Sequence, residues 1–204
     1  MATTAWSGCR SEVVMRVILI ILGVVCSLVF IPPVYAQSAT TASDYAPTRY
    51  GAALLVGKAY SPDHFGLVLA QGQVVFDYDR IFWHAAPEPL RFKLEANAGI
   101  TTDGRHRGLL AVNAMALYYL EHFKRGDWTP YVEAGIGLIY TDFQVAGQGM
   151  RFNFNPQAGV GVEYALPGGA AVTTAVRLQH ISNGKTHHDN RGINLALLMI
   201  GYLF

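Results

Sequence analysis

The fold of this chain is constrained most by a period-two alternation of apolar and polar residues, repeated in windows of about ten residues. In the clearest window, Phe92 and Leu94 alternate with Lys93 and Glu95. The windows lie at residues 50–58, 71–80, 92–100, 109–120, 131–140, 151–164, 170–182 and 193–204, the first two with weaker alternation. Because successive side chains of a β-strand point to opposite faces of the sheet, each window predicts one strand.

Strands of this number and pattern predict an all-β protein, and three features favour an eight-stranded antiparallel transmembrane β-barrel over a soluble β-sandwich. The polar face combines charges with glycines, which suits a narrow, filled lumen. The apolar face carries aromatic residues near the strand ends, as an interfacial girdle does. The chain ends in Phe204, and a terminal aromatic residue resembles the closing strand of outer-membrane barrels. No window reaches the ~18 apolar residues of a spanning helix.

The turn residues between the windows predict the topology. With both chain ends in the periplasm, the periplasmic turns fall at residues 83–89, 124–127 and 166–169, and the outer loops at 61–66, 101–107, 143–149 and 183–191. The charged residues expected in the lumen have mixed sign, so that they can pair across strands and fill the interior without a pore. They are Lys93, Glu95, Glu133, Arg151, Glu163 and Arg177.

The N-terminal stretch has the pattern of a secretory signal peptide. Arg10 and Arg16 precede an apolar run at residues 17–31, and Val34-Tyr35-Ala36 forms a small-x-small-like cleavage site. The predicted organisation is a signal peptide at 1–36, a loose segment at 37–47 and the barrel at 48–204.

Two bulk properties exclude other classes of protein. Both cysteines, Cys9 and Cys26, lie in the predicted signal peptide, so we expect neither a disulfide framework nor a structural zinc site. The formal net charge is +1, which gives no electrostatic case for nucleic acid as a partner.

His180 and Ser182 form the candidate catalytic pair. In their strand, Val176 and Leu178 belong to the apolar set that faces lipid, and His180 and Ser182 share this parity near the outer end. Asn194 has the lipid-facing parity of the last strand. A histidine beside a serine hydroxyl, with a third polar group on the imidazole, is the core of nucleophilic acyl transfer. The alternative is a girdle histidine followed by a serine that opens a loop.

The residues around this pair carry a resemblance to a known family. Arg177-x-x-His180-x-Ser182-Asn183, followed by Asn190-x-Gly192-Ile193-Asn194 on a strand that ends in Phe204, resembles the PagL family of lipid A 3-O-deacylases and related acyloxyacyl hydrolase-like proteins. The resemblance implies an eight-stranded outer-membrane barrel that removes the acyl chain ester-linked at the 3-position of lipid A, without a metal or cofactor. It implies Ser182 as nucleophile, His180 as base and Asn183 as a contributor to the oxyanion hole.

One position departs from the family pattern, because well-known members have a glutamate in the place of Asn194. Asparagine can orient the imidazole through its amide oxygen but cannot stabilise the imidazolium by charge. Asp189 in the adjoining loop is the alternative orienting acid. His187 and His188 beside Asp189 also suggest a metal site, but consecutive loop histidines are more often solvated, and we expect no metal. Lys185 and Arg191 flank the same loop, where they could attract lipid phosphates or be ordinary loop cations.

The leading hypothesis is therefore a serine esterase of the bacterial outer membrane, with lipid A or lipopolysaccharide as substrate and outer-membrane lipids as surroundings. The alternative is a non-catalytic structural or interaction barrel. A small pore is a weaker alternative, because eight strands leave little lumen. The oligomeric state is open, with a homodimer as one alternative.

Overall fold

The computed structural model of the protein describes residues 46–80, 86–104 and 107–204. The predicted signal peptide at 1–36 and most of the predicted loose segment lie outside the described residues. The strands are β1 (Arg49–Ser61), β2 (Phe65–Asp77), β3 (Leu90–Thr101), β4 (Gly108–Tyr119), β5 (Trp128–Thr141), β6 (Phe152–Phe154), β7 (Gln157–Ala165), β8 (Ala171–Ile181) and β9 (Ile193–Leu203). Three-residue 3-10 helices occur at Tyr78–Arg80, Glu121–Phe123 and Pro167–Gly169. Within the described residues, no helix has the length and apolar character needed to cross a membrane.

The strands close into a barrel. All pairings are antiparallel, in the order β4-β3-β2-β1-β9-β8-β7-β5, and β4 pairs with β5 to complete the ring. β6 and β7 both pair with β5 and are separated only by Asn155 and Pro156, so they are two parts of one barrel strand. The interruption falls where Pro156 has no N–H to donate. The predicted eight-stranded antiparallel barrel is confirmed.

The two ends of the barrel differ in their connections. The start of β1 and the end of β9 lie at one end, where the Tyr50 N–H donates to the Phe204 carbonyl at 3.2 Å. This turn end also carries the β2–β3, β4–β5 and β7–β8 connections. The opposite end, called the loop end below, carries the β1–β2, β3–β4, β5–β6 and β8–β9 connections. The order of turns and loops therefore agrees with the predicted topology.

The predicted faces of the strands are confirmed at the residues that test them. Leu138 and Val176 are exposed on the outside of the barrel, as are Phe152 and Phe154. The Glu133 and Arg177 side chains are buried in the lumen, and the Glu163 carboxylate lies inside near the turn end, where Arg49 Nη1 contacts it at 2.6 Å. Arg151 is an exception to the predicted set of lumenal charges. It is exposed because β6 begins one residue later, at Phe152, so Arg151 belongs to the loop.

A four-residue ion network occupies the lumen. Lys93 Nζ contacts Glu95 Oε1 and Glu133 Oε2, each at 2.7 Å. The Arg177 guanidinium contacts the same two carboxylates, with Nη2 2.8 Å from Glu95 Oε1 and Nε bonded to Glu133 Oε1. Two cations thus face two anions, and each buried charge is compensated. The pairing of lumenal charges across strands agrees with the prediction.

Nearer the loop end, apolar side chains fill a large part of the lumen. Side chains such as Leu55, Leu69 and Leu197 are almost fully buried there. The Phe65 and Phe143 rings meet edge-on at 5.4 Å between centroids, and the Arg107 guanidinium lies 4.3 Å from the Phe143 ring centre. Filled in this way, the interior offers no support for the alternative of a small pore.

Candidate active site

The β8–β9 hairpin brings His180 and Asn194 together on the outer face of the barrel. The two residues are directly paired in the strand register, and the His180 Nδ1 atom lies 2.6 Å from the Asn194 Oδ1 atom. An amide oxygen can only accept, so Nδ1 carries the proton and donates it. The other ring nitrogen, Nε2, is then left with a free lone pair and can act as a base. Asn194 therefore holds the imidazole in the tautomer that a base acting through Nε2 requires.

Gly192 makes room for the His180 ring. The register Ile181↔Ile193 places Gly192 opposite Ser182 in the next row toward the loop end. A Cβ atom at Gly192 would stand 2.7 Å from His180 Nε2 and would also meet Cε1. The imidazole ring thus extends from the His180–Asn194 row over Gly192, which lies in the same row as Ser182. A glycine is required at this position by the close approach of the ring.

Ser182 lies just beyond β8 and is half-buried. Its backbone is held against β6, because the Phe154 N–H donates to the Ser182 carbonyl at 2.8 Å and the Ser182 N–H donates to the Phe154 carbonyl at 3.1 Å. These bonds keep Ser182 extended, two residues after His180 and on the same side of the chain. The strand register and parity therefore place Ser182, His180 and Asn194 on the outer face, in two neighbouring rows.

Asn183 anchors the β8–β9 loop. It is 1% exposed, and its side-chain Nδ2 donates to the Asp189 carbonyl at 2.7 Å and the Gln148 carbonyl at 3.3 Å. Its backbone N–H donates to Asn190 Oδ1 at 2.8 Å. All three N–H groups of Asn183 are thus occupied. Its predicted part in an oxyanion hole would require one of these groups to exchange its partner for the substrate oxygen.

Asp189, the alternative orienting acid, points elsewhere. Its exposed carboxylate lies 3.2 Å from His188 Nε2, while His180 is held by Asn194. The possible ligand atoms of His187, His188 and Asp189 lie within 4.8 Å of one another, a separation that could hold a metal ion. The His187 Nδ1 atom, however, already accepts the Asp189 backbone N–H at 3.1 Å. The arrangement favours Asn194 as the orienting residue.

Comparison with known proteins assigns the chain to a family. A family model described as Lipid A 3-O-deacylase (PagL) matches residues 67–203. This chain belongs to the PagL family.

Solved structures give the same architecture. The crystal structure of the outer membrane enzyme PagL is 21% identical, with a TM-score of 0.55 over 74% of this chain and 97% of that one. Neisserial surface protein A is 15% identical, with a TM-score of 0.60 over 79% of this chain and 98% of that one. A comparison with curated proteins finds no match. Together with the family match, these structures identify a β-barrel protein of the bacterial outer membrane.

The sequence pattern did not reveal several residues that shape this PagL-family site. Gly192 was visible in the motif, but nothing in the sequence showed that the imidazole packs on it. Phe154 and Gln148 reach Ser182 and Asn183 from the β5–β6 region, which is remote in the chain. Only the closed sheet brings that region to the β8–β9 hairpin, so no local signal could have identified them.

Proposed function

We propose that this protein is an outer-membrane esterase that hydrolyses the 3-O-linked acyl chain of lipid A. The observation that carries the proposal is the 2.6 Å contact between His180 Nδ1 and Asn194 Oδ1 on the outer face, in the row next to Ser182. A barrel with no catalytic role has no need for a polar pair there, because polar groups on a lipid-facing surface are disfavoured.

The proposed reaction has two halves. Ser182 Oγ attacks the ester carbonyl carbon while His180 Nε2 takes the hydroxyl proton. The bond from that carbon to the sugar oxygen then breaks, and His180 returns the proton to the departing 3-hydroxyl. A water molecule that gives its proton to the same Nε2 attacks the acyl-serine. The fatty acid leaves, and the proton returns to Ser182 Oγ.

Asn194 supplies orientation in this mechanism but no charge. In triads with an acid, the carboxylate both holds the tautomer and stabilises the imidazolium. The amide oxygen provides the first of these, together with dipolar stabilisation only. Asn183 remains our proposed oxyanion donor, in exchange for one of its loop partners. Each step uses side chains and water, without a cofactor.

The second candidate is a structural or interaction barrel. The observation that favours it is the similarity to Neisserial surface protein A, which has the higher TM-score of the two structures although its name describes no enzyme. A homodimer is a separate proposal that is compatible with either function, and chemical crosslinking in the native membrane would test it.

Mass spectrometry of lipid A tests the proposal directly. Cells that lack the protein would express the wild type, Ser182→Ala or no protein. We expect the mass of one 3-O-linked acyl chain to be lost from lipid A only with the wild type. Equal lipid A masses in all three strains, with the barrel present in the outer membrane, would favour the structural candidate.

A further inference from the structure

Lys58 is a cation on the outer face of the barrel beside the proposed site. The outward residues of β1 are Tyr50, Ala52, Leu54, Val56, Lys58 and Tyr60, and Lys58 is the only charged one among them. It lies three residues before β1 ends at the loop end, and its side chain is exposed. By parity, Lys58 faces the same side of the sheet as His180 and Asn194.

The strand register places Lys58 close to the His180–Asn194 pair. Lys58 is opposite Ala196 on β9, Ala196 is opposite Leu178 on β8, and the His180–Asn194 row is the next one toward the loop end on this face. With strands ~4.8 Å apart and ~6.7 Å per two residues, the Lys58 and His180 Cα atoms are about 12 Å apart. A single glycolipid headgroup can span this distance.

A β-bulge shapes the edge of the site next to Lys58. Ala59 pairs with Leu195, but Ser61 rather than Tyr60 pairs with Asn194, so two residues of β1 stand opposite one residue of β9. Such bulges redirect side chains and are frequent beside active sites. The bulge places the exposed Tyr60 next to Asn194, in line with Lys58. On the β1 side of the site, Tyr60 and Lys58 therefore offer a phenol and an ammonium group to a bound ligand.

Lys58 takes part in none of the ion pairs between described residues. Its neighbours across the strands are Gly66 and Ala196, whose small side chains leave its stem free to turn toward the membrane surface. In the lumen, by contrast, Lys93 lies between two carboxylates. A cation on the outer face is favoured only beside an anion or the polar interface, and in a lipid headgroup layer that anion is a phosphate.

We propose that Lys58 binds a phosphate group of the lipid substrate and so holds the scissile ester at Ser182. The inference rests on the proposed esterase function and adds a positioning residue to it. The phosphate is the substrate's own rather than that of a neighbouring lipid, because only a group within the same molecule fixes the position of the ester. Lys58 thus selects phosphorylated glycolipids over other acyl esters.

Purified protein in neutral detergent micelles can test this with two substrates, phosphorylated lipid A and the same lipid A after phosphatase treatment. Lys58→Met keeps the length of the side chain and removes its charge. We expect it to raise KM for phosphorylated lipid A about tenfold with kcat unchanged, and to leave KM for the dephosphorylated lipid unchanged. Lys58→Arg should restore KM. Lys124→Met, which removes an exposed lysine at the turn end, should change neither substrate.

Three results would overturn the proposal. The first is that Lys58→Met raises KM equally for both substrates, and the second is that it lowers kcat alone. The third is that added phosphatidylglycerol lowers the wild-type KM for dephosphorylated lipid A to the value for the phosphorylated lipid. The last result would assign the phosphate to a neighbouring lipid. Binding of fluorescent lipid A to Ser182→Ala, with and without Lys58→Met, measures the same contact without turnover. If the wild type cleaves neither lipid, the esterase proposal fails, and this binding difference still decides the role of Lys58.

Discussion

The packing of the His180 ring on Gly192 makes Gly192→Ala a sensitive test of the site. The added methyl group would stand 2.7 Å from His180 Nε2, whereas ordinary contact begins at 3.4 Å. The Ile181 carbonyl, 3.1 Å from the same Cβ, limits movement of the methyl group in the other direction. Because the ring carbon Cε1 lies closer still to that position, the imidazole has to move by more than the 0.7 Å between 2.7 and 3.4 Å, and the 2.6 Å bond to Asn194 has to stretch or break.

A displacement of nearly 1 Å in a catalytic group lowers rates by about 100-fold, which corresponds to about 2.7 kcal/mol in the activation free energy. We expect kcat/KM for deacylation of lipid A by Gly192→Ala to fall by this amount. The fold should survive, because the ring faces outward and can swing away from the methyl group. Heat-modifiable migration in electrophoresis would verify that the barrel is intact.

Gly72→Ala is the matched control, since a Cβ atom there meets no other atom within 4 Å. This variant should keep wild-type kcat/KM. In a His180→Ala background, Gly192→Ala should cause no further loss, because the group that it displaces is already gone. Wild-type activity of folded Gly192→Ala would refute the idea that the His180 ring, in its position over Gly192, is the catalytic base.

Three further predictions concern the polar groups. Ser182→Ala and His180→Ala should each abolish release of 3-hydroxy fatty acid from purified lipid A while the barrel remains heat-modifiable, and residual cleavage by Ser182→Ala would exclude that serine as nucleophile. Asn194→Ala should lower activity by about 10-fold to 1000-fold, less than loss of the serine, and Asn194→Glu should keep or raise it in the same assay; full activity of Asn194→Ala would disprove the orienting role. Arg177→Met should lower the unfolding free energy in lipid vesicles by about 3–5 kcal/mol, and adding Glu95→Gln should recover part of it; an unchanged urea midpoint would contradict the charge-balance argument.

The fold was predictable from the sequence where the lumen is polar. β3 alternates clearly because its inward residues include Lys93, Glu95 and Asn97, all buried in the lumen. β2 alternates poorly at its start because Leu67 and Leu69 face an apolar part of the lumen. The predicted window there began at residue 71, whereas the strand begins at Phe65.

The site was predictable as far as local periodicity reaches. Parity alone placed His180, Ser182 and Asn194 on one face, and the hairpin made the pairing of His180 with Asn194 a short-range consequence. The position of the ring over Gly192 depends on a rotamer, and the contacts of Ser182 with Phe154 depend on closure of the ring of strands. Neither property is encoded in a window of ten residues.

The filled interior and the outward site have a consequence for kinetics. Since the lumen is packed with side chains and His180 is exposed on the outside, a substrate of the proposed esterase would reach Ser182 by lateral diffusion within the outer leaflet, not through the barrel. The relevant concentration is then the mole fraction of substrate in the lipid layer. Diluting the substrate with inert detergent at constant bulk concentration should slow turnover, as it does for any catalyst confined to two dimensions.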